Sequence, residues 1–154
     1  MCGIYSFLNY NKQGLSIKNI KQEFLKGSSR GPEDSKEKTI DDYDTYIGFH
    51  RLAINGFNDS NASQPMEIDE ILLICNGEIY NHKQLFDNMN INPKSNSDCE
   101  VIIHLYKKYG IKQTLQMLDG VFAFMIFDFR DKDAPRMFVA RDTYGVRPLF
   151  FTRI

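Results

Sequence analysis

The chain has 154 residues, of which 42% are hydrophobic and 25% charged, and its formal net charge is −1. This composition is that of one globular domain, and the charge gives no reason to expect nucleic acid or a membrane surface as a partner. No apolar run approaches the ~18 residues of a membrane span, and the N-terminus lacks the features of a secretory signal. Cys2, Cys75 and Cys99 form no CxxC pair, which argues against a disulfide framework or a zinc ribbon. The three scattered histidines suggest no metal site, and we expect a reducing, cytoplasmic location.

The N-terminal half predicts two strands separated by a helix. Residues 2–8 are an apolar strand, and Ser16 can cap a helix that carries Ile20 and Phe24 on one face and ends at Gly27. Residues 28–42 are polar and are expected to form a surface loop. Residues 43–54 are rich in β-branched and aromatic side chains and predict a strand, followed by a polar loop over 55–65.

The C-terminal half predicts buried strands around two helical regions. Residues 71–75 form an apolar strand, and Asn81 can cap a short helix. Ser97 and Glu100 have the spacing of a capping box at the start of a second helix, which Gly110 interrupts before a further helical segment over 111–118. Residues 121–128 and 136–140 predict a hairpin, and residues 148–152 a last short strand.

The strands at 71–75 and 121–127 are continuously apolar, so both of their faces should be covered. The short turn after residue 128 requires antiparallel pairing. Together these features predict an α+β fold in which two stacked antiparallel sheets are flanked by helices, a four-layer αββα sandwich.

Cys2 is the strongest candidate for a catalytic residue. If Met1 is removed, Cys2 carries both a thiol and a free amine, and a neutral α-amine with a pKa of about 7.7–8.0 can accept the thiol proton. The alternative is that Cys2 is an ordinary buried residue at the start of a strand, since cysteine is among the most buried residue types.

Four further residues stand out beside Cys2, and each has an ordinary structural interpretation. Asn76 and Gly77 follow an apolar strand, and Asn-Gly is a common hairpin turn. Arg51 lies in a largely apolar strand, where an arginine can form a surface ion pair. Asp98 is expected in the first turn of its helix, where the helix dipole favours a carboxylate in any case.

Six stretches in register carry a resemblance to a known family. They are Cys-Gly-Ile at 2–4, Arg-Leu-Ala-Ile at 51–54, Asn-Gly-Glu-Ile-Tyr-Asn at 76–81, Ser-Asp-Cys-Glu at 97–100, Leu-Asp-Gly-Val-Phe-Ala-Phe at 118–124 and Ala-Arg-Asp-Thr-Tyr-Gly-Val-Arg-Pro-Leu at 140–149. In this order they resemble the glutaminase domain of glutamine-dependent asparagine synthetases. That domain is a class II glutamine amidotransferase of the N-terminal-nucleophile hydrolase superfamily.

The resemblance implies that Cys2 attacks the side-chain amide of glutamine to give a thioester and ammonia, and that water then releases glutamate. Asn76 and Gly77 would form the oxyanion hole. The α-carboxylate of glutamine would bind to Arg51, and the α-ammonium group to Asp98 and the backbone of Glu78. The substrate-binding residues expected on this basis are Arg51, Leu52, Ala53, Ile54, Asn55, Asn76, Gly77, Glu78 and Asp98.

The resemblance also sets expectations for organisation and partners. Residues 1–154 would be one class II amidotransferase domain that lacks the C-terminal strands of the family and the synthetase domain. Glutamine is the expected ligand, and a synthetase chain or domain the expected partner. We expect no metal or cofactor in this chain, since ATP and magnesium would belong to the synthetase domain. The alternative to an enzyme is an inactive, truncated module that binds glutamine or a protein partner.

Overall fold

The computed structural model of the chain describes residues 1–52, 59 and 62–153. Within these residues the strands are β1 (Gly3–Leu8), β2 (Asp34–Ile40), β3 (Thr45–Arg51), β4 (Met66–Ile68), β5 (Ile71–Ile79), β6 (Gly120–Asp128) and β7 (Arg136–Arg141). The α-helices are α1 (Ile17–Leu25), α2 (His82–Met89) and α3 (Glu100–Met117). Among them, no helix combines the length and the apolar character that crossing a membrane requires.

The strands form two antiparallel sheets that are stacked on each other. The first sheet has the order β1-β3-β2 and the second β4-β5-β6-β7. Between the sheets, Ile47 and Phe49 of β3 pack with Leu72 and Ile74 of β5 and with Phe127 of β6. This apolar layer joins the two halves of the chain into one core.

Helices cover the outer face of each sheet. Ile20 and Phe24 of α1 pack on Tyr46 of the first sheet. Side chains of α2 and α3, such as Leu85 and Leu105, share a larger cluster with the second sheet. The predicted α+β sandwich with four αββα layers is therefore confirmed.

Strand alternation explains which side chains reach each layer. In β3, Ile47 and Phe49 face the other sheet, so Gly48 and His50 face α1. A Cβ atom on Gly48 would lie 2.5 Å from two ring carbons of Phe24, so the helix approaches the sheet closely at this glycine. In β5 the same alternation places Leu72, Ile74, Asn76 and Glu78 on the inner face.

Two strand predictions were wrong. The region 28–42 was expected to be a loop but contains β2, which pairs with β3 from Asp34↔Arg51 to Ile40↔Thr45. Its polar sequence is tolerated because β2 is an edge strand, which needs backbone pairing more than apolar side chains. The strand expected at 148–152 does not form; in this segment Phe150 is 90% exposed, and no strand of the described residues pairs with it.

The helix ends differ from the prediction at two places, and one is that Asn81 precedes α2 but its side chain makes no capping hydrogen bond. Ser16 caps α1 as expected, its Oγ accepting from the N–H of Asn19 at 3.3 Å. The capping box at Ser97 is wrong, because the Glu100 carboxylate instead accepts hydrogen bonds from the N–H groups of Lys94 and Ser95. Helix α3 therefore begins at Glu100, and Asp98 lies in the turn before it rather than in its first turn. Gly110 breaks the helix at φ 75°, as predicted.

Candidate active site

The site lies at one end of the layer between the two sheets. Cys2 directly precedes β1 and packs on the inter-sheet cluster, and Asn76 faces the same layer from β5. Arg51 is the last residue of β3, whose neighbour β1 begins at Gly3. The pocket formed there is lined by Cys2, Arg51, Leu52, Asn76, Gly77, Glu78 and Asp98, together with residues that include Met1, Gln64, Cys99 and Arg147.

Cys2 is partly buried against the backbone that leaves β3. Its Sγ lies 3.4 Å from both the N–H and the carbonyl oxygen of Leu52. Burial raises the pKa of the Cys2 thiol above its ordinary value, and this outweighs the hydrogen bond from Leu52 and the nearby N-terminal ammonium and Arg51, which lower it. The thiol therefore needs a base to ionise at neutral pH.

Asn76 and Gly77 do not form a hairpin turn. Strand β5 continues to Ile79, with Asn76 opposite Ala123 and Gly77 opposite Phe122 of β6. A Cβ atom on Gly77 would lie 2.6 Å from the Cα of Phe122, so the two strands approach too closely there for a side chain. The turn alternative is wrong, and the pair lies within a central strand whose inner face opens on the pocket.

The free edge of β5 directs one backbone donor into the pocket. Gln64 takes the place of a pairing strand at Cys75, because its Nε2 donates to the Cys75 carbonyl and its Oε1 accepts from the Cys75 N–H. Four residues further along the same strand edge, the N–H of Ile79 donates to Asp98 Oδ2 at 2.6 Å. The N–H of Gly77 lies between these two on the same edge, since alternate residues of a strand point their N–H groups to the same side.

Asp98 is buried and connects the turn before α3 to the end of β5. Its carboxylate therefore lies beside the backbone of Glu78. The helix dipole does not account for its position, because α3 starts two residues later.

Arg147 reaches the pocket from the segment after β7. Its Nη2 lies 3.7 Å from Glu78 Oε1, and its Nη1 lies 2.7 Å from the sulfur of Met1. Asp142 holds this segment in place, because its carboxylate accepts hydrogen bonds from the backbone N–H groups of Phe122, Tyr144, Val146 and Arg147. Burial raises the pKa of Asp142, but these hydrogen bonds outweigh it and hold the pKa below its ordinary value.

A family model described as a glutamine amidotransferase domain matches residues 1–154. The chain belongs to this family. It is 41% identical over 154 residues to "Asparagine synthetase [glutamine-hydrolyzing]" of Mesocricetus auratus, and 40% identical to the protein of the same name from Homo sapiens. Each alignment covers 97% of this chain and 26% of the relative. The chain thus spans about a quarter of the length of these relatives.

The amidotransferase domain brings together most of the residues predicted for the site. Cys2, Arg51, Leu52, Asn76, Gly77, Glu78 and Asp98 line one pocket. The predicted substrate-binding residues Ala53, Ile54 and Asn55 lie outside the described residues. The sequence assigned no role to Gln64 or Arg147. Arg147 belongs to the stretch at 140–149 that resembles the family, whereas Gln64 lies in a loop with no recognisable pattern.

His50 and His104 make packing and hydrogen-bond contacts within the fold. His50 is buried, stacks on Phe24 at 4.0 Å and contacts the Phe24 carbonyl and the Ser35 hydroxyl. His104 contacts Glu100 within α3. Across residues 1–52, 59 and 62–153, no group of three or more His, Cys, Asp or Glu side chains is arranged to hold a metal ion.

Proposed function

We propose that this domain hydrolyses glutamine to glutamate and ammonia through a Cys2 thioester, and that it supplies the ammonia for asparagine synthesis. The observation that carries the proposal is that Cys2, Arg51, Asn76, Gly77 and Asp98 all line one pocket. Supporting it, the domain belongs to a glutamine amidotransferase family, and relatives about 40% identical to it are named glutamine-hydrolysing asparagine synthetases.

In this proposal Cys2 is the nucleophile. Its sulfur forms a bond to the side-chain carbonyl carbon of glutamine, and the electron pair of the C=O bond moves to the oxygen. The carbon–nitrogen bond then breaks, and ammonia leaves with the proton that the thiol gave up. Water attacks the thioester, releases glutamate and restores the thiol.

Asn76 and Gly77 would hold the oxyanion. The Asn76 side chain lies on the inner face of β5, and the Gly77 N–H points to the pocket between Gln64 and Asp98. Donors that are fixed before the charge forms stabilise it without reorganisation, and losing one costs about 10²–10³ in rate. Arg51 would bind the α-carboxylate of glutamine, and Asp98 with the Glu78 backbone its α-ammonium group.

The base in this proposal is the α-amine of Cys2 after Met1 has been removed. While Met1 is attached, the Cys2 nitrogen is an amide that cannot accept a proton, and the thiol pKa is raised by burial. Met1 also lines the pocket that glutamine would enter. The ammonia would pass to a synthetase part of the protein or to a separate synthetase chain, where ATP and magnesium would act.

The test compares Met1-bearing protein with the same sample after treatment with a methionine aminopeptidase. Intact mass gives the extent of removal, and glutamate and ammonia are measured after incubation with glutamine. We expect hydrolysis only by the trimmed form, with activity rising as the α-amine deprotonates near pH 8. Equal activity with Met1 in place would contradict the mechanism.

The matched variant is Cys2→Ala. We expect it to lose hydrolysis while binding glutamine with little change, because Arg51 and Asp98 are unaltered. Near-normal turnover by Cys2→Ala would remove Cys2 from the mechanism. If the trimmed wild-type chain bound glutamine but did not hydrolyse it, the domain would instead be an inactive binding module.

A further inference from the structure

The guanidinium of Arg147 lies in the pocket as an ion-pair partner of Glu78, but no oxygen atom of the described residues accepts a hydrogen bond from it. Its side chain is 15% exposed, and among the described residues its buried Nε has no hydrogen-bond partner. The distance of 3.7 Å to the Glu78 carboxylate is too long for a hydrogen bond, and a thioether such as Met1 is a weak acceptor. A partly buried guanidinium with unused donors is stabilised further by an anion that comes within hydrogen-bond distance.

The position of Arg147 is tied to that of the proposed oxyanion hole. The Asp142 carboxylate accepts from the backbone N–H of Arg147 at 3.1 Å and from that of Phe122 at 3.2 Å. Phe122 lies directly opposite Gly77 in the second sheet. The Asp142 carboxylate thus fixes the backbone of Arg147 relative to β6, the strand that pairs with Asn76 and Gly77 of β5.

Arg147 also contacts the residue that precedes the nucleophile. Its Nη1 contacts the side chain of Met1, which is bonded directly to Cys2. Asp98, by contrast, is anchored at Ile79, two residues beyond Gly77. Removing Met1 would take away the sulfur contact and leave a second nitrogen of the guanidinium without an acceptor.

We propose that Arg147 is a catalytic residue that donates a hydrogen bond to the anionic oxygen formed at the side chain of glutamine. This inference rests on the proposed function. The charge moves to this oxygen when sulfur attacks and leaves it when the carbon–nitrogen bond breaks. After hydrolysis the same oxygen belongs to the γ-carboxylate of glutamate, so Arg147 also favours the charged product over the neutral substrate amide.

The kinetic test uses trimmed protein with Arg147→Gln and Arg147→Lys, and with Arg153→Gln as the control at an exposed arginine. We expect Arg147→Gln to lower kcat by about 10- to 100-fold with little change in KM, because a hydrogen bond to a charged group is lost mainly in the transition state. Arg147→Lys keeps the charge and should lose less. A rise in KM at constant kcat would overturn the proposal, since it would place Arg147 on the α-carboxylate.

A binding test separates this inference from the proposed function because it requires no turnover. Calorimetry measures L-glutamate and L-glutamine binding to Cys2→Ala and to Cys2→Ala/Arg147→Gln. We expect the second substitution to weaken glutamate binding about 10-fold and glutamine binding less than about 2-fold. Equal loss for both ligands, or no loss, would overturn the role of Arg147. Absence of hydrolysis by the trimmed wild type would instead contradict only the proposed function.

Discussion

At the scale of single residues, the three cysteines differ in their surroundings. Cys2 is partly exposed in the pocket, whereas Cys75 is 1% and Cys99 3% exposed. A hydrogen bond with Cys75, together with burial, holds the pKa of the Cys99 thiol well above its ordinary value. Since the thiolate is the reactive form, the two buried cysteines should be inert while the domain is folded.

We therefore predict that iodoacetamide modifies only Cys2 in the folded, Met1-bearing chain. The reaction should accelerate as pH rises through the raised pKa of this thiol, because the thiolate fraction grows. Peptide mass spectrometry after timed labelling measures each site. Cys2→Ala is the control and should stay unlabelled until denaturant is added. Labelling of Cys75 or Cys99 at the rate of Cys2 would contradict the packing described above.

At the scale of elements, the sequence predicted the strands with strong apolar patterns and missed those without. The second sheet was predictable because β5 and β6 are buried on both faces and β7 follows a short turn. Strand β2 was not, because its seven residues have a polar pattern and its place is set by pairing with β3. Local propensity contains no information on which backbone will be available as a partner.

The site residues likewise fall into those that the local sequence predicts and those that it does not. Cys2, Arg51, Asn76 and Gly77 were predictable because they lie at or near strand ends within recognisable stretches. Arg147 was not, because its reach into the pocket depends on the bend that Asp142 imposes. Asp142 is held by a hydrogen bond from the backbone N–H of Phe122, which is 20 residues away in sequence. Contacts of this kind follow from the assembled fold rather than from local sequence.

The close contact of α1 with the first sheet at Gly48 leads to a prediction about stability. Gly48→Ala places a Cβ atom 2.5 Å from the ring of Phe24, which also stacks on His50. We expect a loss of about 1–3 kcal/mol in the free energy of unfolding, because the helix must move away from the sheet. Urea unfolding measures the loss.

The matched control combines Gly48→Ala with Phe24→Leu. The smaller side chain leaves room for the new methyl group, so the double variant should lose less stability than the sum of the two single variants. Strict additivity would show that Gly48 and Phe24 do not limit the approach of the helix.

At the scale of the whole molecule, three carboxylates hold separate parts of the sandwich together. Asp128 accepts hydrogen bonds from Arg130 at 2.8 Å and from the Tyr106 hydroxyl at 2.6 Å, which joins β6 to α3. Glu100 fixes the segment before α3, and Asp142 fixes the segment after β7. All three are buried, and each has ionised partners or backbone donors that favour its charged form.

The pKa of each carboxylate lies below its ordinary value. Hydrogen bonding to Arg130 is the largest cause at Asp128 and outweighs burial. At Glu100 and Asp142 burial raises the pKa, but hydrogen bonds to the charged form outweigh it. The folded state therefore binds fewer protons than the unfolded state at mildly acidic pH, and protons favour unfolding there.

We predict that the free energy of unfolding is highest above the unfolded carboxyl pKa values of about 4 and falls as pH decreases below them. Asp128→Asn should lower it by about 1–3 kcal/mol at pH 7. Its difference from the wild type should shrink below about pH 4, because the unfolded chain then takes up a proton on Asp128 while the folded carboxylate stays ionised. Urea titrations from pH 3 to 7 give both curves.

Asp87→Asn, at an exposed position on α2, is the control and should change stability by less than about 0.5 kcal/mol. A difference for Asp128→Asn that stayed constant or grew on acidification to pH 3 would contradict the lowered pKa of Asp128, and with it the ion pair with Arg130, as the cause.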